Sequence, residues 1–321
     1  MNESEARGWR PRHGWDRVPP GLPLLIALGG PHDAGAVVRQ FHVLALTGEE
    51  DEAGERPELV AAFDTDELHD YRARRPIVAI GDNRVQAVEL PRLEITRHED
   101  ADGRDFLLLA GAEPDFLWQR FTAELVDIVE RLGVGSVTWI HSLGMPVPHT
   151  RPVRLSVHGN RRDMVEQLSV WAPSAQVPGH VMHLLHYRLA ALGVPVLGLV
   201  ALVPHYVVET EVPGAILAVL QGIGVAAGLR WEDDGLREAD RVFRQRIDEQ
   251  VEGNEEVRRV VAALEEQHDS YLAGLPQQSS FASADGTLPS ADDIAAELER
   301  FLRQSADRGD GQEPPRPFED W

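Results

Sequence analysis

The sequence predicts an α/β fold followed by an acidic α-helical extension. From Leu22 to about Leu229, short apolar runs alternate with longer amphipathic ones, which is the pattern of strands and crossover helices. After Trp231 this alternation stops, and residues 230–321 hold 23 acidic and 11 basic residues, a net charge of −12. Because 43% of the 321 residues are hydrophobic, the chain is long enough to bury a substantial core.

The elements follow from hydrophobic periodicity and from the residues that end helices. Gly133 and Gly193 stand where two helices need a residue suited to the C-terminal cap. The run PRLEITRHEDADGRDFLLLAG has an Asp-Gly turn between two strand-like halves, which predicts an antiparallel hairpin. Strands are predicted near 22–28, 58–63, 77–80, 85–89, 106–110, 136–140, 153–157 and 195–203, and helices at 34–46, 115–132, 161–168, 179–192 and 213–228.

Four regions are predicted along the chain: an N-terminal arm (1–20), an α/β domain (21–230), a helical region (231–305) and a disordered tail (306–321). The arm is expected to be ordered only if Trp9 or Trp15 docks. In the helical region Gly253 bends or divides a long amphipathic run, and Ser290 is suited to cap a later helix. The acidic helices are interpreted as a solvated hairpin packed on the main domain, the alternative being a dedicated binding arm.

Composition excludes several classes of function. All 31 basic residues are arginine, which removes lysine Schiff bases and a Walker lysine, and the absence of cysteine removes disulfides and thiolate chemistry. The net charge of −22 argues against nucleic acid or an anionic membrane as the main partner. The first 20 residues lack the apolar core of a signal peptide, and the longest apolar runs are shorter than a bilayer span, so a cytoplasmic protein is expected.

The glycine-rich turn in LPLLIALGGPHDAGAVVRQF does not match a nucleotide-binding loop. The first, third and sixth positions of a dinucleotide fingerprint fall on Gly29, Pro31 and Ala34. A generic anion site at the helix N-terminus is an alternative. Asp33 would repel an anion there, so we expect Asp33 to cap the helix and Gly35 to allow tight helix packing.

The segment GHVMHLLHY places His180, His183 and His186 three residues apart on one side of a helix. Imidazoles at this spacing could contribute metal ligands. Since no carboxylate motif accompanies them, histidines at the surface or at an interface are the favoured interpretation. The sequence predicts no metal and no cofactor.

Polar residues follow several of the predicted strands. Ligands of open α/β sheets bind beyond the carboxyl ends of strands, so these side chains would line one crevice suited to acid–base chemistry if the strands are parallel neighbours. The alternative is that they are polar because loops are polar. No catalytic residue is assigned. The candidate crevice residues are His32, Asp33, Asp64, Asp66, Glu113, His141 and His205, and Arg151 and Arg154 are candidates for an intersubunit ion pair or an anion site.

Several segments across residues 29–208 together resemble the proteasome assembly chaperone 2 family, in particular its bacterial members with a helical C-terminal extension. The most specific are GAEPDFLWQRF and FDTDELHDYR; GGPHDAG, LGMPVPHTRP and GLVALVPHYV add to them. Pro31 departs from the pattern, which has an aromatic residue at that position. The resemblance implies a three-layer α/β/α sandwich similar to the nucleoside phosphorylase class.

The better understood relatives are non-enzymatic chaperones that help to assemble proteasome α-rings, some through a C-terminal tail that ends hydrophobic–tyrosine–any residue. This chain has Asp320 in the penultimate position, so that tail is not carried over. We expect a homo-oligomer, with a trimer as one candidate assembly, that works by protein–protein contact and whose other partners are proteasome-related proteins. The alternative is an enzyme that acts on a small nucleoside-like substrate in the crevice.

Overall fold

The computed structural model describes residues 8–30, 33–47, 57–169 and 176–272 of the chain. Within these residues the strands are Trp9–Pro11 (β1), Pro23–Gly29 (β2), Glu58–Phe63 (β3), Ile77–Gly81 (β4), Arg84–Glu89 (β5), Leu93–Glu99 (β6), Asp105–Ala112 (β7), Ser136–Met145 (β8), Arg154–Gly159 (β9) and Val196–Pro204 (β10). The α-helices are Val37–Thr47 (α1), Thr65–Leu68 (α2), Trp118–Leu132 (α3), Arg162–Leu168 (α4), Val181–Ala191 (α5), Pro213–Ala227 (α6), Asp234–Glu252 (α7) and Glu255–Leu272 (α8).

Eight strands form one mixed sheet in the order β1-β3-β6-β7-β2-β8-β10-β9, and β4 and β5 form a separate two-stranded hairpin. Strands β7, β2, β8 and β10 are parallel neighbours. Strand β6 runs antiparallel to both β7 and β3, which confirms the hairpin predicted from the Asp-Gly turn. All nine residues of β10 are buried, as expected for a strand that is covered on both faces.

Helices cover both faces of the sheet, so the predicted α/β/α sandwich is confirmed. Helices α3 and α5 pack on one face, where Phe121 and Leu185 are fully buried. Helices α1 and α6 pack on the other, where Phe41 and Ile216 are fully buried. Helix α7 lies outside α6, with Phe243 and other apolar residues packed against the second core.

The N-terminal arm docks on the edge of the sheet. Trp9 is 2% exposed, and its ring centroid lies 4.9 Å from that of Trp15. This burial positions β1 antiparallel to β3. The sequence analysis made order in the arm depend on such docking but did not predict a strand there, because three residues are too few to show a period.

Two glycines have the structural roles expected of them. Gly133 ends α3 in the left-handed conformation, with a φ of 62°. Gly35 has a φ of 69° and turns the chain through a 3₁₀ segment before α1 begins. A Cβ at Gly35 would lie 3.1 Å from the Cβ of Val212, so the tight packing predicted at this position is confirmed.

The acidic region begins with two helices that are divided at Gly253. Asn254 starts the second one, because its side-chain oxygen accepts hydrogen bonds from the backbone N–H groups of Glu256 and Val257. The expected division of the long helical run is therefore observed. The helix predicted from Ser290 and the tail at 306–321 lie outside the described residues, as does His32. None of the helices in the described part of the chain is long and apolar enough to cross a membrane.

Gly198 is predicted to be essential for packing in the centre of β10. A Cβ at this position would lie 2.5 Å from Cζ2 of Trp139 and 2.8 Å from Nε2 of His158. We expect Gly198→Ala to lower the free energy of unfolding by about 1–3 kcal/mol, because a packed ring system has to move. Urea titration followed by circular dichroism measures this change.

The matched control is Gly235→Ala in α7, where an added Cβ meets no atom within 4 Å. This control should be neutral or slightly stabilising, since alanine is favoured over glycine in helices. Equal stability of the two variants would contradict the packing argument.

Candidate functional site

The carboxyl ends of five strands lie along one edge of the sheet. Strands β7, β2, β8 and β10 are parallel, and β3 runs in the same direction because β6 is antiparallel to both β3 and β7. These five strands therefore end at one edge of the sheet, and the candidate residues after β2, β3, β7 and β10 that the structure describes lie along that edge. His141 is different: β8 was predicted to end at residue 140 but continues to Met145, so His141 lies inside the strand.

Asp33 follows β2 and caps α1. Its carboxylate oxygens accept hydrogen bonds from the backbone N–H groups of Val38, at 2.9 Å, and Arg39, at 3.1 Å. The hydroxyl of Ser142 on β8 also donates to it, at 3.4 Å. The capping role expected for Asp33 is present, but it acts across the 3₁₀ turn because Gly35 delays the start of the helix.

Glu113 follows β7 and is 8% exposed. Its Oε1 accepts a hydrogen bond of 2.8 Å from the backbone N–H of Val181, the first residue of α5. Its Oε2 lies 3.2 Å from Nε2 of His180, whose ring centroid is 5.3 Å from that of His141. The structure therefore brings together two candidate crevice residues, Glu113 and His141, with a histidine that sequence analysis had considered separately.

The remaining crevice candidates lie apart from this group. Asp64 caps α2 through the backbone N–H of Asp66, at 3.1 Å, and Asp66 accepts a hydrogen bond of 2.5 Å from the hydroxyl of Tyr71. Both are exposed, and β6 separates their strand from β7. His205 is exposed in the turn after β10, next to the ring of Tyr206.

Sequence analysis missed a histidine cluster that lies between α5 and the sheet. Trp139 on β8 and His158 on β9 are brought side by side across Gly198 of β10. The ring of His158 stacks on those of His183, at 5.8 Å, and His186, at 5.4 Å. We use the term histidine cluster for His141, His158, His180, His183 and His186. The spacing of the three histidines in GHVMHLLHY was visible in the sequence. Trp139 and His158, in contrast, become neighbours only because their strands lie on either side of β10.

Hydrogen bonds show that the three helix histidines are neutral. Nδ1 of His180 accepts from the backbone N–H of Met182, Nδ1 of His183 accepts from the backbone N–H of His180, and Nδ1 of His186 accepts from the indole of Trp139. A protonated imidazole has no acceptor, so each of these bonds requires the neutral ring. In neutral His180 the proton then lies on Nε2, the nitrogen that faces Glu113.

Burial, like these hydrogen bonds, favours the neutral form of the histidines. Burial and the neighbouring histidines lower the pKa of His180 to about 3 and the pKa values of His158 and His186 to about 4. Burial also lowers the pKa of His183. Among the described residues, no group of three or more histidine and carboxylate side chains is arranged to hold a metal ion.

Arg151 connects the loop after β8 to the acidic helices. Its guanidinium pairs with Glu265, at 3.1 Å, and Asp269, at 2.7 Å, both on α8. These carboxylates raise the pKa of Arg151 and the guanidinium lowers the pKa of Asp269. Nearby, buried His149 contacts Asp248 of α7 at 3.1 Å. Arg151 is thus paired within its own chain, whereas Arg154 is exposed at the start of β9.

Comparison with known proteins gives the family. The PAC2 family model matches residues 52–251. A Corynebacterium glutamicum protein of unknown function is 34% identical, with a TM-score of 0.77 over 84% of this chain and 100% of that one. A Mycobacterium tuberculosis protein of unknown function is 33% identical, with a TM-score of 0.73, and the match covers 95% of this chain and 99% of that one. A Mycobacterium tuberculosis proteasome-assembly chaperone homologue is 22% identical, with a TM-score of 0.66, and the match covers 75% of this chain and 100% of that one.

No functionally curated protein matches the chain. The chain has an α/β/α fold. At the edge of the sheet where the parallel strands end, carboxylates cap helices that cover the sheet. Because the family model covers more than half of its residues, the chain belongs to the PAC2 family, as the sequence resemblance indicated.

Because the histidine cluster is partly buried, we predict that the free energy of unfolding falls in mild acid. Histidine in an unfolded chain has a pKa near 6.5, and burial in the folded chain lowers the pKa values of His158 and His186 to about 4. Between these values the unfolded state binds more protons, so stability falls as the pH is lowered through this window. Melting temperatures between pH 8 and pH 4.5 measure the effect.

A variant isolates the contribution of the cluster. We expect His158→Gln to make the fall in stability between pH 7 and pH 4.5 smaller by roughly 2 kcal/mol. The control is His13→Gln, since His13 is exposed. Titrating carboxylates affect parent and variants alike, so parallel pH profiles for His158→Gln and the parent would contradict the assignment.

Glu113 is predicted to stabilise the start of α5. We expect Glu113→Ala to lower the free energy of unfolding by about 1–3 kcal/mol, because the backbone N–H of Val181 loses its acceptor in a buried position. Glu113→Gln keeps an acceptor and should lose less. Glu209→Ala, at an exposed position, is the control, and chemical denaturation is the measurement. If Glu113→Ala were as stable as the control, the capping role would be wrong.

Proposed function

We propose that this protein is a homo-oligomeric, assembly-chaperone-like member of the PAC2 family that works in the cytoplasm through protein–protein contacts. Membership of the family supports the proposal. The proteasome-assembly chaperone homologue from Mycobacterium tuberculosis supports it at the level of the fold.

The observation that carries the proposal is the exposed apolar face of the β4–β5 hairpin. Val78 pairs with Val88 and Ile80 pairs with Val85, so the four side chains lie on one face. They are 44%, 54%, 72% and 63% exposed, in that order. We call this surface the hairpin face. Every residue of β5 is exposed, so the described part of the chain does not cover the hairpin.

Such a hairpin is unusual in a chain that acts alone. An isolated two-stranded hairpin is at best marginally stable in water, and three or more strands or a packed helix are needed for independent stability. A contiguous exposed apolar patch typically marks a surface for another protein. The hairpin face therefore supports a function in which another protein chain covers it.

The hydrogen bonds of the carboxylates at the strand ends also favour contact over catalysis. The carboxylates of Asp33 and Glu113 were the candidates closest to the centre of the sheet, and both accept hydrogen bonds from backbone N–H groups at the start of a helix. Acid–base chemistry needs a carboxylate free to exchange a proton with substrate. We therefore place the function on the hairpin face rather than in the crevice.

Affinity purification from cells in which the protein is native tests the proposal. With the tagged full chain as bait, we expect proteasome α-subunits to be enriched, as quantified by mass spectrometry. Ile80→Ser should reduce their recovery at least tenfold, because Ile80 is 72% exposed at the centre of the hairpin face. The control is Leu192→Ser, which removes another exposed apolar side chain, 56% exposed at the end of α5.

Recovery of the bait alone from parent and variants would overturn the proposed partner. Equal recovery with Ile80→Ser and Leu192→Ser would overturn the role of the hairpin face. Circular dichroism of the purified variants should show that both remain folded, because both changes are at exposed positions.

A further inference from the structure

Helix α5 begins with a capping box that is built from two histidines. His180 precedes the helix, and its Nδ1 accepts a hydrogen bond of 3.2 Å from the backbone N–H of Met182. In return, Nδ1 of His183 accepts a hydrogen bond of 3.0 Å from the backbone N–H of His180. Capping boxes usually combine serine or threonine with glutamate or glutamine. This one depends instead on imidazoles, whose ordinary pKa is near 6.5.

A third histidine holds the same half of α5 to the sheet. Nδ1 of His186 accepts a hydrogen bond of 3.1 Å from the indole N–H of Trp139 on β8. In all three bonds Nδ1 is the acceptor, so Nε2 carries the proton of the neutral ring and a second proton can bind only at Nδ1. Protonation of any of the three rings therefore breaks a contact that holds the start of α5.

The side chains packed around these rings oppose a positive charge. His158 on β9 stacks on His183 and His186, at 5.8 and 5.4 Å between ring centroids, and the ring of His141 on β8 lies 5.3 Å from that of His180. Burial lowers the pKa values of all three helix histidines, and neighbouring histidines lower those of His180 and His186 further. The dipole of α5 also opposes a cation at its N-terminus.

A carboxylate also faces this group. Oε2 of Glu113 lies 3.2 Å from Nε2 of His180 and attracts a positive charge on that ring. It cannot replace the cap, because the second proton binds at Nδ1, the atom that accepts from Met182. The attraction favours the protonated ring without restoring the hydrogen bond.

Other contacts in the same layers do not depend on a neutral imidazole. Arg188, in the second half of α5, donates to the backbone carbonyl of Gln119, at 2.6 Å, and to the hydroxyl of Thr122, at 2.7 Å, both on α3. His42 and His69 donate through Nε2 to backbone carbonyls. A protonated ring can still donate, so these bonds persist in acid. Protonation therefore acts on the start of α5.

We propose that the first half of α5, from His180 to His186, is an acid-sensitive element that leaves the sheet in mildly acidic solution while the rest of the fold stays intact. In the open form Leu185 and Trp139, which are fully buried in the closed form, become accessible. Each released histidine binds a proton with ordinary affinity, so each raises the ratio of open to closed molecules by up to about tenfold per pH unit below pH 6.5. The opening is a property of the fold and is independent of any protein partner.

A cysteine placed under α5 measures the opening, because the chain has no cysteine of its own. Leu185→Cys places a thiol at a fully buried position of α5, and Leu125→Cys is the matched control on α3 in the same core. The measurement is the rate at which the purified full chain reacts with 4,4′-dithiodipyridine, divided by the rate of a small free thiol at the same pH. Between pH 7.5 and pH 5 we expect this ratio to rise at least about a hundredfold for Leu185→Cys and to stay nearly constant for Leu125→Cys.

Two versions of the capping box, each made in the Leu185→Cys chain, separate the charge of the histidines from their hydrogen bonds. His180→Asn with His183→Gln keeps an acceptor at both positions that does not titrate, and should reduce the acceleration in acid at least about tenfold. His180→Ala with His183→Ala removes both acceptors and should speed the reaction already at pH 7.5. The control is His13→Gln with His205→Gln, at two exposed histidines, which should keep the full acceleration.

Equal acceleration of Leu185→Cys and Leu125→Cys would mean global unfolding and would overturn the local opening. An unchanged rate for Leu185→Cys, or full acceleration with the Asn and Gln capping box, would also overturn it. Hydrogen exchange of the parent, followed by mass spectrometry and corrected for the intrinsic effect of pH, tests the inference without any variant. Residues 180–186 should lose protection at pH 5 while residues 37–47 of α1 keep theirs, and equal protection of the two segments at pH 5 would contradict the proposal.

Discussion

Four parallel strands that are buried on both faces require a layer of helices on each side, and this requirement organises the rest of the molecule. The crossover connections place the starts of α1, α3, α5 and α6 at the edge where the parallel strands end. Helix starts have backbone N–H groups without partners inside the helix. Asp33 and Glu113 supply the missing acceptors for α1 and α5. These two carboxylates at the edge are thus explained by the helices.

The same stacking of layers produces the histidine cluster. Trp139 and His158 come from strands on either side of β10, and Gly198 leaves room for both rings beneath α5. The helix histidines accept hydrogen bonds through Nδ1, so the interface depends on neutral imidazoles. Neutral rings pack at low cost where charged ones would have to lose their hydration, which is why burial lowers their pKa values.

Some surface elements are held by contacts within the chain, whereas others have exposed apolar side chains that the described residues do not cover. The acidic helices are held by Arg151 and His149, two residues of the loop after β8. The hairpin of β4 and β5 has no comparable cover within the described residues.

The sequence by itself determined the alternation of strands and helices, the Asp-Gly hairpin, the glycine at the end of α3 and the division of the acidic helices near Gly253. Each of these is a local property, because periodicity and capping involve residues that are close along the chain. Only the tertiary structure decided that Glu113 reaches α5, that His158 joins histidines of a distant helix and that His141 lies inside a strand. Those relations depend on strand order, which brings residues separated by tens of positions into contact and which no local pattern encodes.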